Sequence, residues 1–297
     1  SKPFTKDLLR VRIERAVRRH QPLTTIANAL SKDGIPAALT VLDTLLEQRT
    51  DNRLELLRIK ADLALRIGDL DLATTACQTA QIERPLPWAL TLLGQIAQQR
   101  GDITTAESLF RQSIAQTSHF MPAHDRLAEL CLIQGRRTEA LNILKIASER
   151  SPKSLQRQRR LAQLAIEMDR PDLAEPAWQR VLTLSRYAGA VQTADYFDLI
   201  MTLIKQDDLR QAKKRLELME KQRHVDPQAQ WWIFAAQLNY LHAKAAPIER
   251  QQAVLVEIDA ALTDNKPTLA AATKLSEALT CWGETARATA IMEDMAA

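Results

Sequence analysis

Apolar residues recur at spacings of three and four along most of the chain, which predicts amphipathic α-helices rather than β-strands. Between residues 87 and 154 the pattern of apolar and small positions is repeated after 34 residues. The aligned pairs are Gly101/Gly135, Ala97/Cys131, Ala106/Ala140 and Phe110/Leu144. Each repeat therefore reads as two helical stripes joined at a glycine, which accepts the left-handed backbone of a tight turn. The pattern predicts an array of helical hairpins.

The same turn can be followed through most of the chain. The predicted turn residues are Gly34, Gly68, Gly101, Gly135, Asp169, Asp207 and Gly283. Up to Asp207 they are separated by 34, 33, 34, 34 and 38 residues. A small residue follows five positions later in six repeats, at Ala73, Ala106, Ala140, Ala174, Ala212 and Ala288. We expect these alanines to let the two helices of a hairpin approach to about 8–10 Å.

The repeat resembles a known family. The residues that carry the resemblance to the tetratricopeptide repeat are Leu93-Gly94, Ala97, Gly101-Asp102, Ala106 and Phe110, with Pro152 where that family often ends its second helix. The resemblance implies an all-α fold, a right-handed superhelical solenoid of about seven to eight antiparallel helical hairpins. It implies a fold and no particular activity.

Two segments interrupt the array. Residues 186–190 add about one helical turn, which predicts a longer helix or an open loop. Residues 227–267 contain no turn glycine, and Pro247 is predicted to begin a helix after a wider loop. After Gly283 no polar capping helix follows the last helix, so we expect Met295 and its neighbours to be exposed, or covered by a partner or by a second copy in a homodimer.

The first residues do not follow the repeat. Lys2-Pro3-Phe4, with Thr5 as an N-cap and an amphipathic helix behind it, resembles the end of a response-regulator receiver domain. The resemblance implies a division into 1–21, a receiver remnant and linker, and 22–297, the helical solenoid. We therefore expect the chain to be the C-terminal part of a longer signalling protein. The alternative is that residues 1–21 form an ordinary capping helix of the solenoid.

Composition adds few functional signals. The net charge of +4 comes from intermixed acidic and basic residues, which is typical of solvated helices and does not indicate nucleic acid. Cys77, Cys131 and Cys281 are too far apart for a short metal-binding motif, and the first two occupy core positions, where we expect buried reduced thiols. There is no apolar run long enough to cross a membrane and no signal peptide, so cytoplasmic localisation is expected.

The sequence offers no candidate catalytic residue. Its five histidines include no pair at the helical spacing that binds a metal, and it lacks a phosphate-binding loop and a Gly-x-Ser-x-Gly motif. We therefore expect no cofactor, no metal and no enzymatic activity.

The tetratricopeptide resemblance implies a concave groove that binds a protein or peptide and is lined by the first helix of each repeat. The residues at its groove-facing sites are Arg58, Asp62, Arg66, Trp88, Gln95, Gln99, Asp125, Glu129, Arg159 and Gln163. Trp88 is the large anchor among them. Trp231 and Trp232 form a second candidate, because adjacent helical residues point about 100° apart and one ring can face a flank while the other enters the core.

These observations predict a non-enzymatic protein-interaction scaffold, the output module of a two-component response regulator. One alternative is a helical repeat that binds RNA or DNA through basic residues in 10–19 or 150–160, although neither cluster has the interleaved aromatics of a stacking surface. A second alternative is a cell-envelope assembly factor of the same fold.

Overall fold

The computed structural model describes residues 6–48, 52–82, 85–224 and 226–296, in which every regular element is helical. They form two compact units, Ser1–Arg136 and Arg137–Ala297. The helices of unit 1 are α1 (Lys6–Glu47), α2 (Arg53–Arg66), α3 (Leu70–Ala80), α4 (Pro87–Gln99), α5 (Ile103–Gln116) and α6 (Met121–Ile133). Those of unit 2 are α7 (Arg137–Arg150), α8 (Leu155–Glu167), α9 (Pro171–Ala188), α10 (Thr193–Lys205), α11 (Leu209–Glu220), α12 (Ala229–Ala243), α13 (Ile248–Asp264), α14 (Leu269–Cys281) and α15 (Thr285–Ala296), with a 3₁₀ turn at Lys221–His224.

Helix α1 consists of two segments, because the backbone of Gly34 is not helical (φ 83°, ψ −171°). The first segment passes through Pro22 without a break. The division expected between residues 21 and 22 therefore has no counterpart in the backbone and stays a prediction. Residues 1–5, with Lys2-Pro3-Phe4 and the expected N-cap, lie outside the described residues, as do the side chains of residues 6–20.

The predicted turn residues all adopt a positive φ, which confirms the repeat register. Gly101 is representative: its N–H donates to Gln98 O at 3.0 Å, and the next N–H, of Asp102, donates to Ala97 O at 2.9 Å. Asp102 also begins the second helix, since its carboxylate accepts from Thr105 N at 3.0 Å. Hydrogen bonds from Thr105, and to a smaller extent from Thr104, lower the pKa of the Asp102 carboxyl.

Ala245 makes the turn that the sequence concealed. Its φ is 49°, and Ala245 N and Ala246 N donate to His242 O and Leu241 O at 2.9 and 3.0 Å, as in the glycine turns. The segment is thus a tight turn, which corrects the expected wider loop, and α13 does begin directly after Pro247. Counting from Ala245, the neighbouring turns at Asp207 and Gly283 are each 38 residues away.

Small residues set the distance between the helices of a hairpin, as the sequence indicated. A Cβ on Gly94 would stand 2.5 Å from Cε1 of Phe110, which is fully buried on the next helix. The alanines five residues after the turn are all buried, including Ala140. After Ala245 that position holds Arg250, which is exposed, and α13 contacts α12 less extensively than second helices contact first helices elsewhere in unit 2.

The structure also shows how the insertion near residue 188 and the last helix are accommodated. The four extra residues near 186–190 lengthen α9 to 18 residues, and Gly189 ends it in the left-handed conformation (φ 63°). In the last helix, Met292 and Met295 are half-buried, while Thr289 and Glu293 are exposed. The outward positions of α15 that the structure describes are therefore small or polar, and a homodimer through this helix stays a prediction.

Candidate functional site

In unit 1 the predicted groove residues lie on three first helices, α2, α4 and α6, and α4 contacts both of the others. None of the eight is buried, and Arg58, Arg66 and Gln99 are exposed. Trp88 is half-buried and packs against the apolar cluster that includes Leu57 and Leu86. Its indole is therefore partly committed to the core of unit 1, and only the remainder is available to a partner.

Asp62 on α2 is a half-buried carboxylate among these groove residues. Burial raises the pKa of its carboxyl, and the neighbouring Arg58 and Arg66 partly counteract that rise. Beneath it, burial raises the pKa of the Cys77 thiol to about 12, with a smaller contribution from Asp62. Cys77 and Cys131 are buried free thiols, as expected, whereas Cys281 is an exposed one.

In unit 2 the predicted residue Arg159, on α8, is bound to the next first helix. Its Nε and Nη2 atoms donate to the two carboxylate oxygens of Asp195 at 2.9 and 2.6 Å. Asp195 is 3% exposed and Arg159 is 20% exposed, so the pair is largely removed from water. Arg159 thus joins α8 to α10 and is not a freely solvated groove charge. Gln163, one turn further along α8, is exposed.

Asp198, one turn beyond Asp195 on α10, is a half-buried carboxylate. Among the described residues its carboxylate has no hydrogen-bond or ion-pair partner. The pKa of Asp198 is raised to about 6, chiefly by burial and to a smaller extent by the nearby Asp195, while Lys274 on α14 partly counteracts the rise. Lys274 itself is paired with Glu277 at 2.8 Å. An unpaired carboxylate in such a position is costly for the fold and is a recognised mark of a binding site.

The same face of α10 borders an apolar cavity of about 310 Å³. Asp195, Asp198, Met201 and Lys205 follow at spacings of three and four residues, which places them on one side of the helix. The residues around the cavity are Ile166, Asp169, Arg170, Pro171, Met201, Thr202, Ile204 and Lys205. Its charged rim is neutralised internally, since Lys205 Nζ lies 2.8 Å from Asp169 and Arg170 Nη2 lies 2.8 Å from Asp172. We call this surface of α8 and α10 the first-helix face of unit 2.

Asp195 and Asp198 are not among the residues expected from the sequence, because neither stands at a position that faces the groove in the family. Asp195 lies 12 residues before its turn at Asp207, where Ala89 stands relative to Gly101, and Asp198 lies nine before it, where Leu92 stands. Ala89 and Leu92 are both buried. Two carboxylates at positions that are apolar in another repeat were the available signal.

The two tryptophans of the second candidate site differ in burial, as adjacent positions on a helix can. Trp231 is fully buried, with its ring centroid 6.0 Å from that of Phe234, and therefore offers no surface to a partner. Trp232 is half-buried, and its ring lies 5.4 Å from that of Phe197 on α10.

The basic cluster between residues 150 and 160 is largely used within the fold. Arg157 is 7% exposed and Arg159 is bound to Asp195, whereas Lys153 and Arg160 are exposed and have no ion pair with any residue that the structure describes. The side chains of the other cluster, in residues 10–19, lie outside those that the structure describes.

The described residues carry neither a metal site nor a membrane-spanning helix. Among the described residues, no group of three or more His, Cys, Asp or Glu side chains could hold a metal ion. Within the same residue ranges, none of the helices combines the length and the apolar content needed to cross a bilayer.

Known structures share this arrangement of helices. A tetratricopeptide repeat protein from Parabacteroides merdae superposes with a TM-score of 0.52 at 15% identity, over 82% of this chain and 92% of that one. The C-terminal part of a TPR repeat-containing protein from Cytophaga hutchinsonii superposes with a TM-score of 0.61, also at 15% identity, over 86% and 98%. The chain has the tetratricopeptide repeat fold. At this identity the likeness extends to the fold alone, and no family model or curated protein matches the sequence.

Proposed function

We propose that this protein is a non-enzymatic protein-interaction scaffold that binds a segment of a partner protein on the first-helix face of unit 2. The observation that carries the proposal is the juxtaposition of the 310 Å³ apolar cavity with the unpaired carboxylate of Asp198, three residues before Met201 on the same side of α10. A cavity of this kind accepts one large apolar side chain, and central apolar anchors supply much of the energy in protein interfaces.

The charge of Asp198 supports a partner with a basic residue near that anchor. A lysine or arginine placed against the carboxylate would give it the ion pair that none of the described residues provides. The neighbouring carboxylate of Asp195 cannot play this part, because Arg159 occupies both of its oxygens. The expected recognition motif is therefore one large apolar residue and one basic residue, three or four positions apart if the segment is helical.

The test is a selection of random peptides displayed against the full chain, followed by titration of the enriched peptides. We expect them to carry the apolar and basic pair, and we expect Asp198→Asn and Met201→Ala each to weaken binding about tenfold, since each removes one anchor. Glu249→Gln, an exposed change on α13, is the control. Enriched peptides that bind Asp198→Asn and Met201→Ala as tightly as the unaltered protein would refute the proposal.

In unit 1 the proposal extends to the surface with Trp88, Asp62, Gln95, Asp125 and Glu129, which lie on successive first helices. Their partial exposure and mixed charge support a peptide-binding role. Peptides that respond to Trp88→Ala and not to Asp198→Asn would assign binding to unit 1 instead of unit 2.

We further propose that the scaffold acts in two-component signalling. The support is the Lys2-Pro3-Phe4 tripeptide followed by a helix, which resembles the end of a receiver domain. The coding sequence upstream of Ser1 tests this directly: we expect about 100–120 residues with alternating strands and helices and an aspartate after the third strand. An export signal or lipid-attachment motif there would instead favour the envelope-assembly alternative.

The structure weakens the nucleic-acid alternative, because Arg157 is buried and Arg159 is paired with Asp195, so neither side chain is free to contact phosphates. Binding of generic double-stranded DNA or single-stranded RNA, measured at low and at moderate salt, separates the classes. An affinity that stays weaker than millimolar at low salt eliminates nucleic acid as the partner.

A further inference from the structure

Helix α13 packs differently from the other second helices of unit 2. Helix α9 contacts both α8 and α10, and α11 contacts both α10 and α12, whereas α13 packs mainly on α12 and scarcely approaches α14. A cavity of about 330 Å³ lies between α11, α12 and α13, and its lining includes Leu216, Gln237, Tyr240, Leu241 and Val254. Helix α13 is therefore held mainly by one neighbour.

The apolar anchor of α13 is short. The buried apolar residues among its described side chains are Val254, Leu255 and Ile258, which lie within little more than one turn of a 17-residue helix. Helix α9, of similar length, has buried residues along most of its course, from Ala174 to Ser185. Because hydrophobic stabilisation follows the apolar area removed from water, α13 is bound to its body more weakly than α9.

The rest of the C-terminal part is joined without α13. At the start of α12, the Gln228 side chain donates to Lys266 O at 3.0 Å and accepts from Thr268 N at 2.9 Å, which fixes the segment before α14. At the other end of α14, Trp282 Nε1 donates to Leu238 O of α12 at 2.9 Å. Helices α12 and α14 also pack directly on each other. They therefore keep their own contacts when α13 moves, and both ends of α13 stay tied to them.

The ion pairs of α13 are also easily broken. Asp259 lies 3.0 Å from Arg287 on α15, and Glu257 lies 3.8 Å from Arg223 in the 3₁₀ turn. All four side chains are well exposed to solvent, so each pair contributes little to stability. Arg287 also bonds Glu284 at 2.7 Å and keeps that partner if Asp259 leaves. Separation of these pairs leaves no buried charge behind.

The turn that leads into α13 is strained. Ala245 has a φ of 49°, in the left-handed region where the Cβ of an alanine is disfavoured. The corresponding turns at Asp169 and Asp207 use aspartate, which tolerates this region better. The strain at Ala245 is present while α13 is docked and can relax when α13 detaches. It therefore lowers the free energy needed to open this hairpin.

We propose that α13 is a strap that detaches from α12 and docks again within the folded protein, while α12, α14 and α15 stay packed. A helix of this length is marginal by itself in water, so the detached strap loses its helical hydrogen bonds. Detachment uncovers Leu216, Tyr240 and Leu241 in the cavity wall, and this apolar surface is presented only in the open state. None of these residues belongs to the first-helix face, so the inference does not rest on the proposed function.

Hydrogen exchange of the full chain, followed by mass spectrometry of its peptides, measures detachment through the loss of these hydrogen bonds. We expect the amides of residues 248–264 to be protected, and yet to exchange at least about tenfold faster than those of α12 and α14 after correction for intrinsic rates. Low concentrations of urea should accelerate exchange in α12 and α14 more than in α13, because detachment exposes less surface than unfolding of the whole unit.

Two matched leucine variants separate detachment from unfolding. Leu255→Ala removes a buried contact of α13 and should accelerate exchange in α13 at least about tenfold. Leu279→Ala removes a buried side chain of α14 and weakens the docked and the detached states alike. It should accelerate exchange in α12 and α14 and leave the rate in α13 unchanged. Ala245→Gly relieves the strain of the docked state and should slow exchange in α13 about two- to fivefold.

The proposal fails if α13 is protected as strongly as α12 and α14, or if Leu279→Ala accelerates all three helices equally, since α13 would then open only by unfolding of the unit. It also fails if residues 248–264 show no protection, because α13 would then not be docked at all. An unchanged or faster exchange of α13 in Ala245→Gly would remove the strained turn from the argument and overturn the hinge. Each of these outcomes leaves the peptide-binding proposal for the first-helix face standing.

Discussion

Replacing Asp198 by asparagine should stabilise the protein at neutral and alkaline pH. The carboxylate is half-buried beside Asp195 and has no hydrogen-bond or ion-pair partner among the described residues. Its pKa is raised from 3.8 to about 6, chiefly by burial and also by Asp195. A rise of roughly two pH units corresponds to about 3 kcal/mol, at about 1.4 kcal/mol per unit. Because the group retains some exposure to solvent, we expect about 2 kcal/mol in practice.

The sign of the pH dependence follows from linkage. Below about pH 4 the carboxyl is protonated in both the folded and the unfolded protein, and its contribution to stability is fully present. As the pH rises through about 6 the folded state must ionise a poorly solvated group, and that contribution is lost. Asparagine carries no charge at any pH, so the advantage of the variant should be small near pH 4 and greatest at pH 8.

The measurement is urea denaturation of both proteins at several pH values between 4.5 and 8, at constant ionic strength, with the slope and midpoint fitted separately. Asp71→Asn is the control, since the Asp71 side chain is 96% exposed and its removal should change stability by less than about 0.5 kcal/mol. An Asp198→Asn protein that is less stable than the unaltered protein at pH 8, or whose advantage does not change with pH, would refute the reasoning.

Three further changes test the packing of the fold. Gly94→Ala should lower stability by about 1–2 kcal/mol in a thermal melt, because the new Cβ would meet the buried Phe110 ring, an overpacking cost that outweighs the gain in helix propensity; an unchanged or higher melting temperature would contradict this. Ala245→Gly should raise the free energy of unfolding by about 0.5–1 kcal/mol, because alanine is strained at φ 49°, whereas Ala243→Gly within α12 should lower it by a similar amount; a loss in both variants would show that Ala245 is not strained. Arg159→Ala should cost about 3–5 kcal/mol by leaving the buried Asp195 carboxylate unpaired, and adding Asp195→Asn should recover part of that loss; additive losses in a double-mutant cycle would count against the pair.

Local chemistry was sufficient to predict the hairpins. The three- and four-residue spacing of apolar side chains determines which face of each helix is buried, and the tight turn needs a residue that tolerates positive φ. For this reason the turns at Gly101, Asp169 and Asp207, and the buried Ala140, could be placed from the sequence. The additional turn in α9 could also be anticipated, because four residues are one turn of any α-helix.

The features that could not be predicted from the sequence depend on contacts between residues that are distant along the chain. Ala245 adopts a glycine-like φ because the surrounding helices hold it there, and a strained alanine has no sequence signature. The roles of Asp195 and Asp198 differ because the fold brings Arg159 to Asp195, 36 positions later in the chain, and leaves Asp198 without a partner among the described residues. Likewise, no residue type indicates a cavity, because a cavity forms where neighbouring helices do not pack closely, as around Gln237 and Val254. The sequence by itself determined the repeat and its register, because these follow from local backbone and side-chain preferences. Only the tertiary structure decided which polar groups of the described residues have a hydrogen-bond or ion-pair partner, because that depends on the packing of separate helices.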